Sequence, residues 1–487
     1  MKAILAVSSL ALALSCATVA RAQIGRTFDW HTAAGDAQRT GWEKSDTKFT
    51  TDGVKDFKLV LKRKLEGEQK GSTYLLPPVV LGTLIGYRGF KELAFVANGT
   101  GDVWAIDVDL DRVYWQRHID LPKVKAKKAT PTCPVGVTSE PTMEPGATFG
   151  GRRRRGAAGS SQMEFFRKIF GPRTLYLLAS DGNLYRLDTS TGKDMNPPVS
   201  VLPAGANVSN LNAAEGEIYA TTSYGCGGAP NAVWAVDVSG DKPKVTKFPA
   251  PASAPEGFIG RNGVLLGSDD QVYAQTSNTL QILSPKDLKV EQSFAGALGK
   301  TSPVAFSYKD RDLIVTAGNN GGLYLFDTKS LDLALYQTPP ISANGDLGIV
   351  GLSTWETAEG TRWVLAALSG EKGSIVAFQL AEEDGKPVLK KTWTSHDITM
   401  PETPVIANGV VFALSAGEPK VKGKGKGKLE GHAILYAFLG DTGTEIYSTG
   451  DQVDAPANLS GLTIANGRVF FTTTDGTLYG FGYHLEH

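Results

Sequence analysis

The stretch GDVWAID at residues 101–107 decides the fold, because close copies of it recur along the whole chain. Apolar and polar side chains alternate in it, as they do in a β-strand that buries one face. Self-similarity of this kind indicates a repeat architecture. The other seven copies are GNLYRLD (182–188), NAVWAVD (231–237), NTLQILS (278–284), GGLYLFD (321–327), GSIVAFQ (373–379), AILYAFL (433–439) and GTLYGFG (476–482).

The flanks of each copy supply further strands. Apolar runs such as RDLIVTAG precede most copies, runs with a late aromatic such as RVYWQR follow many, and upstream pieces such as TSPVAFS (301–307) supply a fourth strand. The copies stand roughly 43 to 50 residues apart where no insertion intervenes, which is the period of one four-stranded propeller blade. We therefore predict an all-β, eight-bladed β-propeller of four-stranded antiparallel blades.

The two ends of the chain predict how the ring closes. The last copy has no strand after it, whereas FKLVLKRKL (57–65) precedes the first complete blade without a partner. If residues 57–65 form a strand that pairs with the last copy, they complete the last blade and remove an open sheet edge. Residues 23–487 would then form a single domain.

Composition limits the choice of partners. The chain has 50 basic and 50 acidic residues, so its formal net charge is zero and no global field attracts nucleic acid. Any anionic partner would need a local basic patch.

The N-terminus predicts export. Lys2 precedes the apolar run AILAVSSLALALS, and Ala20 and Ala22 form an A-x-A cleavage site, so residues 1–22 have the pattern of a signal peptide. The mature chain would begin at Gln23 and be periplasmic or secreted. Cys16 weakly resembles a lipidation site, although Ala13 stands where that motif normally has Leu. The terminal Leu-Glu-His is either native or a cloning remnant.

Three features together resemble the PQQ-like β-propeller repeat. They are the A-x-D after an aromatic, the following strand with a late Trp or other aromatic, and the segment DWHTAAGDAQRTGW (29–42). This family includes the quinoprotein alcohol dehydrogenases and the outer-membrane-assembly propeller lipoprotein. The resemblance covers nearly the whole mature chain. It implies the fold directly and the function only loosely, because one fold hosts many functions.

The resemblance implies three functions. One is a monomeric binding or scaffold protein with a protein or polymer partner in the cell envelope. The second is a PQQ-dependent dehydrogenase that oxidises an alcohol or sugar with PQQ and calcium. The third is binding of PQQ or another planar ligand without turnover, stacked on a channel-facing aromatic such as Trp355. The chain lacks the adjacent cysteine pair of these enzymes and a C-x-x-C-H haem site, so we favour the first function.

Aspartates recur at the end of four copies, and they are candidate calcium ligands. Their equivalent positions in the repeat favour turn residues whose carboxylates accept backbone N–H bonds. They are Asp107, Asp188, Asp237 and Asp327.

Cys133 and Cys226 are the remaining cysteines. Cys133 falls in the connection that leads into blade two, and Cys226 falls in a large loop between the second and third strands of blade three. These connections emerge on the same face, and an exported chain with an even cysteine count should pair them. Free thiols or metal ligands are the alternative, although the histidines at 31, 118, 396, 432, 484 and 487 show no ligand spacing with them.

Two insertions are strongly basic. Residues 146–172 separate the first and second strands of blade two, and residues 419–432 separate the second and third strands of blade seven. Their composition predicts solvated loops on opposite faces, with contact to an anionic surface as the sharper hypothesis. The basic residues concerned are Arg152, Arg153, Arg154, Arg155, Lys422, Lys424, Lys426 and Lys428.

Overall fold

The computed structural model describes ten parts of the chain. They are residues 29–68, 74–86, 89–121, 133, 136–145, 173–240, 242–268, 270–342, 348–417 and 431–483. The predicted signal peptide, Cys16, Gln23, the last four residues and both basic runs lie outside the described residues.

Eight small sheets form the molecule, which confirms the eight-bladed propeller. Two strands precede the first complete blade, namely β1 (Trp42–Glu43) and β2 (Lys58–Lys64). Blade one contains β3 (Val79–Gly86), β4 (Gly89–Ala97), β5 (Asp102–Asp107) and β6 (Arg112–His118). Blade two contains β7 (Thr142–Met143), β8 (Thr174–Leu178), β9 (Asn183–Asp188) and β10 (Val199–Ser200).

Blade three has five strands because its innermost strand is interrupted, so that two short strands pair with β13. They are β11 (Asn207–Val208), β12 (Asn212–Ala214), β13 (Glu217–Ser223), β14 (Ala232–Asp237) and β15 (Lys244–Pro249). Blade four contains β16 (Leu265–Leu266), β17 (Val272–Gln275), β18 (Thr279–Leu283) and β19 (Val290–Ala295). Blade five contains β20 (Val304–Tyr308), β21 (Arg311–Ala317), β22 (Leu323–Asp327) and β23 (Tyr336–Gln337).

The last three blades follow the same order. Blade six contains β24 (Ile349–Glu356), β25 (Arg362–Leu368), β26 (Ser374–Glu383) and β27 (Lys386–Thr394). Blade seven contains β28 (Val405–Ala407), β29 (Val410–Ser415), β30 (Ile434–Leu439) and β31 (Glu445–Ser448). Blade eight contains β32 (Thr463–Ala465), β33 (Arg468–Thr472) and β34 (Thr477–Gly482), with β2 outside β34. Three short 3₁₀ turns lie at Gly53–Asp56, Cys226–Gly228 and Gly450–Gln452.

Every copy of the repeat motif forms the third strand of its blade. The least regular copy, NTLQILS, forms β18 between β17 and β19. The predicted closure is also present, because β2 pairs antiparallel with β34 and completes blade eight. A buried hydrogen bond also joins blade eight to blade one: Arg468 donates to the Glu92 carboxyl at 2.8 Å.

The core lies mainly between neighbouring blades. One cluster, for example, joins Phe412 of blade seven, Phe470 of blade eight and Trp104 of blade one. Both faces of each blade therefore become buried, which one isolated blade cannot achieve.

An inner segment (residues 29–46) runs around the inside of the channel. It contacts the innermost strand region of each blade in turn, in the order of the chain, and so covers inward-facing strand edges. Its β1 pairs in parallel with β28. The hydrogen bonds join Trp30 with Val80, the Met143 N–H with the His31 carbonyl, the Thr32 hydroxyl with the Leu211 carbonyl, the Leu266 N–H with the Ala37 carbonyl, the Ala305 N–H with the Gln38 carbonyl, the Thr354 N–H with the Thr40 carbonyl, the Ile406 N–H with the Gly41 carbonyl, and the Gly467 N–H with the Asp46 carboxylate.

Candidate functional site at the channel mouth

A cavity of about 280 Å³ opens where the innermost strands begin, and we call this end of the channel the mouth. Its walls come mainly from residues just before, or at the start of, the innermost strand in blades two and four to eight. The strand order places these residues on the same face of the propeller. Ala34 and Gly41 of the inner segment also line it. The inner segment therefore contributes part of the wall of a cup around the propeller axis.

A second cavity of about 550 Å³ lies beside the first. Its lining includes Tyr74, Val137, Val208 and Phe258. Ile259 and Arg261 line both cavities. The two spaces are therefore adjacent, with Arg261 at their junction.

Arg261 connects opposite sides of the propeller. It precedes the innermost strand of blade four, and its Nη1 donates to the backbone carbonyl of Leu459, which precedes that of blade eight. Its Nη2 lies 4.0 Å from Glu140 Oε1, and 41% of the side chain remains exposed. Burial opposes its charge, but Tyr74, Glu140 and Glu402 raise the pKa of Arg261 above its usual value.

Glu140 is the buried carboxylate of the mouth. The Asn210 side-chain amide donates to Glu140 Oε1 at 2.8 Å, and the Glu140 backbone N–H donates back to Asn210 Oδ1 at 2.9 Å. Burial raises the pKa of Glu140 to about 7, although Arg261 and Arg39 oppose the shift. The carboxyl therefore changes charge near neutral pH.

Glu402 is a second carboxyl with a raised pKa. It lines the same cavity just before the innermost strand of blade seven. Burial and the neighbouring charge of Glu140 raise its pKa to about 7, against the opposing effect of Arg261. Groups with perturbed pKa values in a cavity often mark a functional site.

The donors at the mouth do not fit a calcium ion. Calcium takes six to eight oxygen ligands and favours several carboxylates. Here the buried Glu140 faces the cation of Arg261 and an amide of Asn210. Across the described parts of the chain, no group of three or more His, Cys, Asp or Glu side chains could hold a metal ion.

The recurring aspartates act mainly in turns. Asp188, Asp237 and Asp327 each accept the backbone N–H of the residue two positions later, at 2.9 Å in all three cases. Asp107 instead forms ion pairs with Lys91 and Arg112. The first three aspartates thus have the predicted turn contact, whereas Asp107 differs from the prediction.

Cys133 and Cys226 form a disulfide whose Cα atoms are 5.5 Å apart. It joins the connection between β6 and β7 to the loop between β13 and β14, as the repeat order predicts. Val137 and Ser223, which line the second cavity, lie close in sequence to the two cysteines. The disulfide therefore links the two loops beside this cavity.

Trp355 lies away from the mouth, near the end of β24. Its side chain is 1% exposed and stacks on Trp363, with ring centroids 5.2 Å apart. It packs into the cluster between blades six and seven, and it borders a different cavity together with Trp42. The indole face that stacks on Trp363 is therefore covered, and the side chain is buried where the sequence suggested a platform facing the channel. Its role in cofactor binding remains a prediction.

The basic runs Arg152–Arg155 and Lys422–Lys428 lie outside the described residues. The strand order does confirm where they connect. The first joins β7 to β8 and the second joins β29 to β30. First-to-second and second-to-third connections leave opposite ends of an antiparallel blade, as predicted.

Solved structures with the same fold come from two kinds of protein. Quinohemoprotein alcohol dehydrogenase from Comamonas testosteroni matches with a TM-score of 0.61 and 14% identity, over 96% of this chain and 82% of the other. A europium-containing methanol dehydrogenase matches with a TM-score of 0.60 and 13% identity, over 94% of this chain and 98% of the other. BamB from Moraxella catarrhalis matches with a TM-score of 0.50 and 13% identity, over 88% of this chain and 100% of the other.

These similarities define the class of fold. The chain is an eight-bladed propeller like those of quinoprotein alcohol dehydrogenases and BamB, which confirms the predicted resemblance at the level of the fold. No family model matches the sequence, and no curated protein matches it. At these low identities, the similarity establishes the fold and not the function.

The sequence did not predict the three interacting charged residues Glu140, Arg261 and Glu402 at the mouth. Glu140, Arg261 and Glu402 share one signal, since each stands shortly before the innermost strand of its blade. Such positions converge on the axis at one face. Once blades are assigned, charged residues there are candidates for a site.

Proposed function

We propose that this protein is an exported propeller that binds a partner or ligand in the cell envelope and does not catalyse its conversion. The observation that carries the proposal is the arrangement of the mouth around Arg261. Its charged groups contact one another across a cup, with Arg261 held between Leu459 and Glu140, and the donors do not converge on a metal. Such a cup offers polar contacts and an enclosed volume for binding.

The similarity to BamB also supports a binding function. The match covers 88% of this chain and all of BamB, so the propeller alone accounts for the similarity. Export rests on the signal-peptide pattern. No helix within the described residues is long and apolar enough to span a membrane.

A PQQ-dependent dehydrogenase is the second candidate. Two dehydrogenases share the fold, and the carboxyls of Glu140 and Glu402 have pKa values near 7, which suit a general base. When bound, PQQ would accept the electrons of the oxidised substrate. The poor calcium site and the lack of adjacent cysteines place this candidate second.

A titration with PQQ separates the two candidates. The mature protein, from residue 23 onward, is titrated with and without calcium while its tryptophan fluorescence is followed, and a redox dye is then offered with alcohols and sugars. We expect no dye reduction. Calcium-dependent quenching together with dye reduction that Glu140→Gln abolishes would replace our proposal with the dehydrogenase.

The basic loops are proposed contacts with an anionic surface. The test compares sedimentation of the protein with anionic and neutral vesicles at low and high salt, because exposed charge contacts weaken with salt. Replacing Arg152–Arg155 by Gln should reduce binding, with Lys422, Lys424, Lys426 and Lys428 as the second set. Binding that does not change with salt would contradict this role.

A further inference from the structure

We propose that Arg261 anchors an organic carboxylate whose apolar body occupies the two cavities beside it. This inference rests on the proposed binding function of the mouth and names the chemistry of its ligand. Arg261 crosses from blade four to blade eight, and together with Ile259 it lines both the cavity of about 280 Å³ and the cavity of about 550 Å³. A group bound to its guanidinium would therefore reach both spaces.

Glu140 lies 4.0 Å from Nη2 of Arg261, but the acceptor that Nη1 now uses is a weak competitor. This Nη1 donates to a neutral backbone carbonyl, that of Leu459. A carboxylate can accept two parallel N–H bonds from a guanidinium, and such charge-assisted pairs are stronger than bonds to neutral acceptors. The side chain is 41% exposed, so a ligand can approach it.

Apolar side chains next to Arg261 indicate the rest of the ligand. In the first cavity Val350 is 48% exposed and Leu459 is 39% exposed, so both offer apolar surface to a ligand. The second cavity adds Phe258 and Val208. Volumes in this range are typical of sites for small molecules. An aliphatic or aromatic acid therefore matches the cavity better than a hydrophilic ion.

The carboxyls of the mouth do not prevent an anion from binding. Lys300 adds a second cation to the lining, although Glu256 pairs with it at 3.2 Å. The side chain of Glu140 is only 6% exposed and faces Arg261 and, more deeply, Arg39. Glu402 interacts with Arg261 and Glu140. The cations thus offset the acidic groups around the proposed site.

Protonation of these carboxyls should strengthen the binding. Burial raises the pKa values of Glu140 and Glu402 to about 7, so both are largely neutral in acid and charged in alkali. Arg261, whose pKa is raised, and Arg39, whose pKa burial lowers to about 10, keep their charge throughout this range. A carboxylate ligand with a pKa near 4 stays ionised, so its affinity should be higher at about pH 6 than at about pH 8.

Calorimetry with matched acids and amides tests the proposal. Benzoate and hexanoate are titrated into the mature protein at about pH 6, and benzamide and hexanamide serve as neutral controls of the same shape. We expect the acids to bind and the amides to bind at least about tenfold more weakly, because they lose the charge-assisted bond. Equal affinity for acid and amide, or no heat with either acid, would overturn the proposal.

Three variants test the role of Arg261 itself. Arg261→Gln should weaken benzoate binding about tenfold or more, and Arg261→Lys should lose less because it keeps the charge. Arg112→Gln is the matched control, since Arg112 lies on the outer strand of blade one. Thermal unfolding verifies that each variant is folded. Wild-type affinity in Arg261→Gln would refute the assignment.

Failure of this inference is distinguishable from failure of the proposed function. Dye reduction with PQQ would end the binding-protein proposal whatever benzoate does. Absence of benzoate binding would refute the proposed carboxylate site, but it would not affect the proposal that a protein or polymer partner binds the mouth. PQQ also carries carboxylates, so competition between PQQ and benzoate shows whether both use Arg261.

Discussion

The indole N–H of Trp115 in blade one donates a hydrogen bond to the backbone carbonyl of Thr189 in blade two, at 2.9 Å. Trp393 of blade six repeats this contact with the carbonyl of Gly440 in blade seven, also at 2.9 Å. In both cases the tryptophan on the outermost strand of one blade contacts the turn that follows the repeat motif of the next blade. These tryptophans therefore fasten neighbouring blades together.

Gly192→Ala should loosen this contact between blades. Gly192 has φ +68°, and an added Cβ would lie 2.7 Å from Trp115 Cε3. Strained backbone and overpacking together should lower the free energy of unfolding by about 2–4 kcal/mol. Urea unfolding measures the change.

Gly385→Ala is the matched control for Gly192→Ala. Its φ is +73°, but a Cβ there would meet nothing within 4 Å. It should cost only the backbone strain, about 1 kcal/mol. Equal losses in the two variants would show that contact with Trp115 contributes nothing.

Arg39→Met should destabilise the inner segment. Arg39 is fully buried, and its guanidinium donates to the Thr32 hydroxyl, the Ala33 carbonyl and the Leu211 carbonyl at 2.8–2.9 Å. Methionine keeps the apolar stem but leaves these acceptors unsatisfied, which should cost about 3–5 kcal/mol. Chemical denaturation gives the value.

Two further variants clarify the result for Arg39. Arg112→Met on the outer strand of blade one should change stability by less than about 1 kcal/mol, since its side chain is half exposed. Arg39→Lys should lie between wild type and Arg39→Met. A stable Arg39→Met would mean that the inner segment does not depend on this guanidinium.

Reduction of the disulfide should destabilise the propeller. Cys133 and Cys226 are 93 residues apart in sequence, so the bond restricts a long loop in the unfolded chain. Its loss should lower the free energy of unfolding by about 2–4 kcal/mol. Thermal unfolding with and without a phosphine reductant tests this. The double variant Cys133→Ser/Cys226→Ser should be less stable from the start and should not respond to the reductant.

Glu43 should make stability depend on pH. It is 7% exposed, and burial raises its pKa to about 7, although the backbone N–H and hydroxyl of Ser45 donate to it. The folded state then binds more protons than the unfolded state between about pH 4.5 and 7, so the free energy of unfolding falls as pH rises through this window. The contribution of Glu43 should be about 1–3 kcal/mol.

The test compares Glu43→Gln with wild type at about pH 5 and pH 8. The variant should lose less stability with rising pH, because its amide does not ionise. Glu359→Gln, at an exposed position, should follow the wild type. Parallel profiles for wild type and Glu43→Gln would show that this carboxyl ionises normally in the fold.

Local pattern was sufficient to predict the blades. Each motif copy became a third strand, and residues 57–65 were predicted to close the ring where β2 now pairs with β34. Alternation and turn residues act over a few positions, so one sequence reveals them. The pairing of Cys133 with Cys226 followed from the same strand order.

The site could not be predicted in the same way. Trp355 was expected to face the channel, but its innermost strand directs the indole toward Trp363 and the neighbouring blade. The alternation of side chains along a strand shows which residues share a face, but it does not show which neighbouring blade or strand that face contacts. The role of a residue on such a strand therefore depends on how the blades pack.

The sequence by itself determined the repeat, the number of blades and the closing strand, because these depend on contacts within a blade or at the chain ends. Only the tertiary structure decided that Arg261 contacts Leu459, 198 residues away, and that residues 29–46 contact all eight blades. Those contacts arise when the ring closes and brings the starts of its innermost strands around one axis. No local pattern of side chains encodes that convergence.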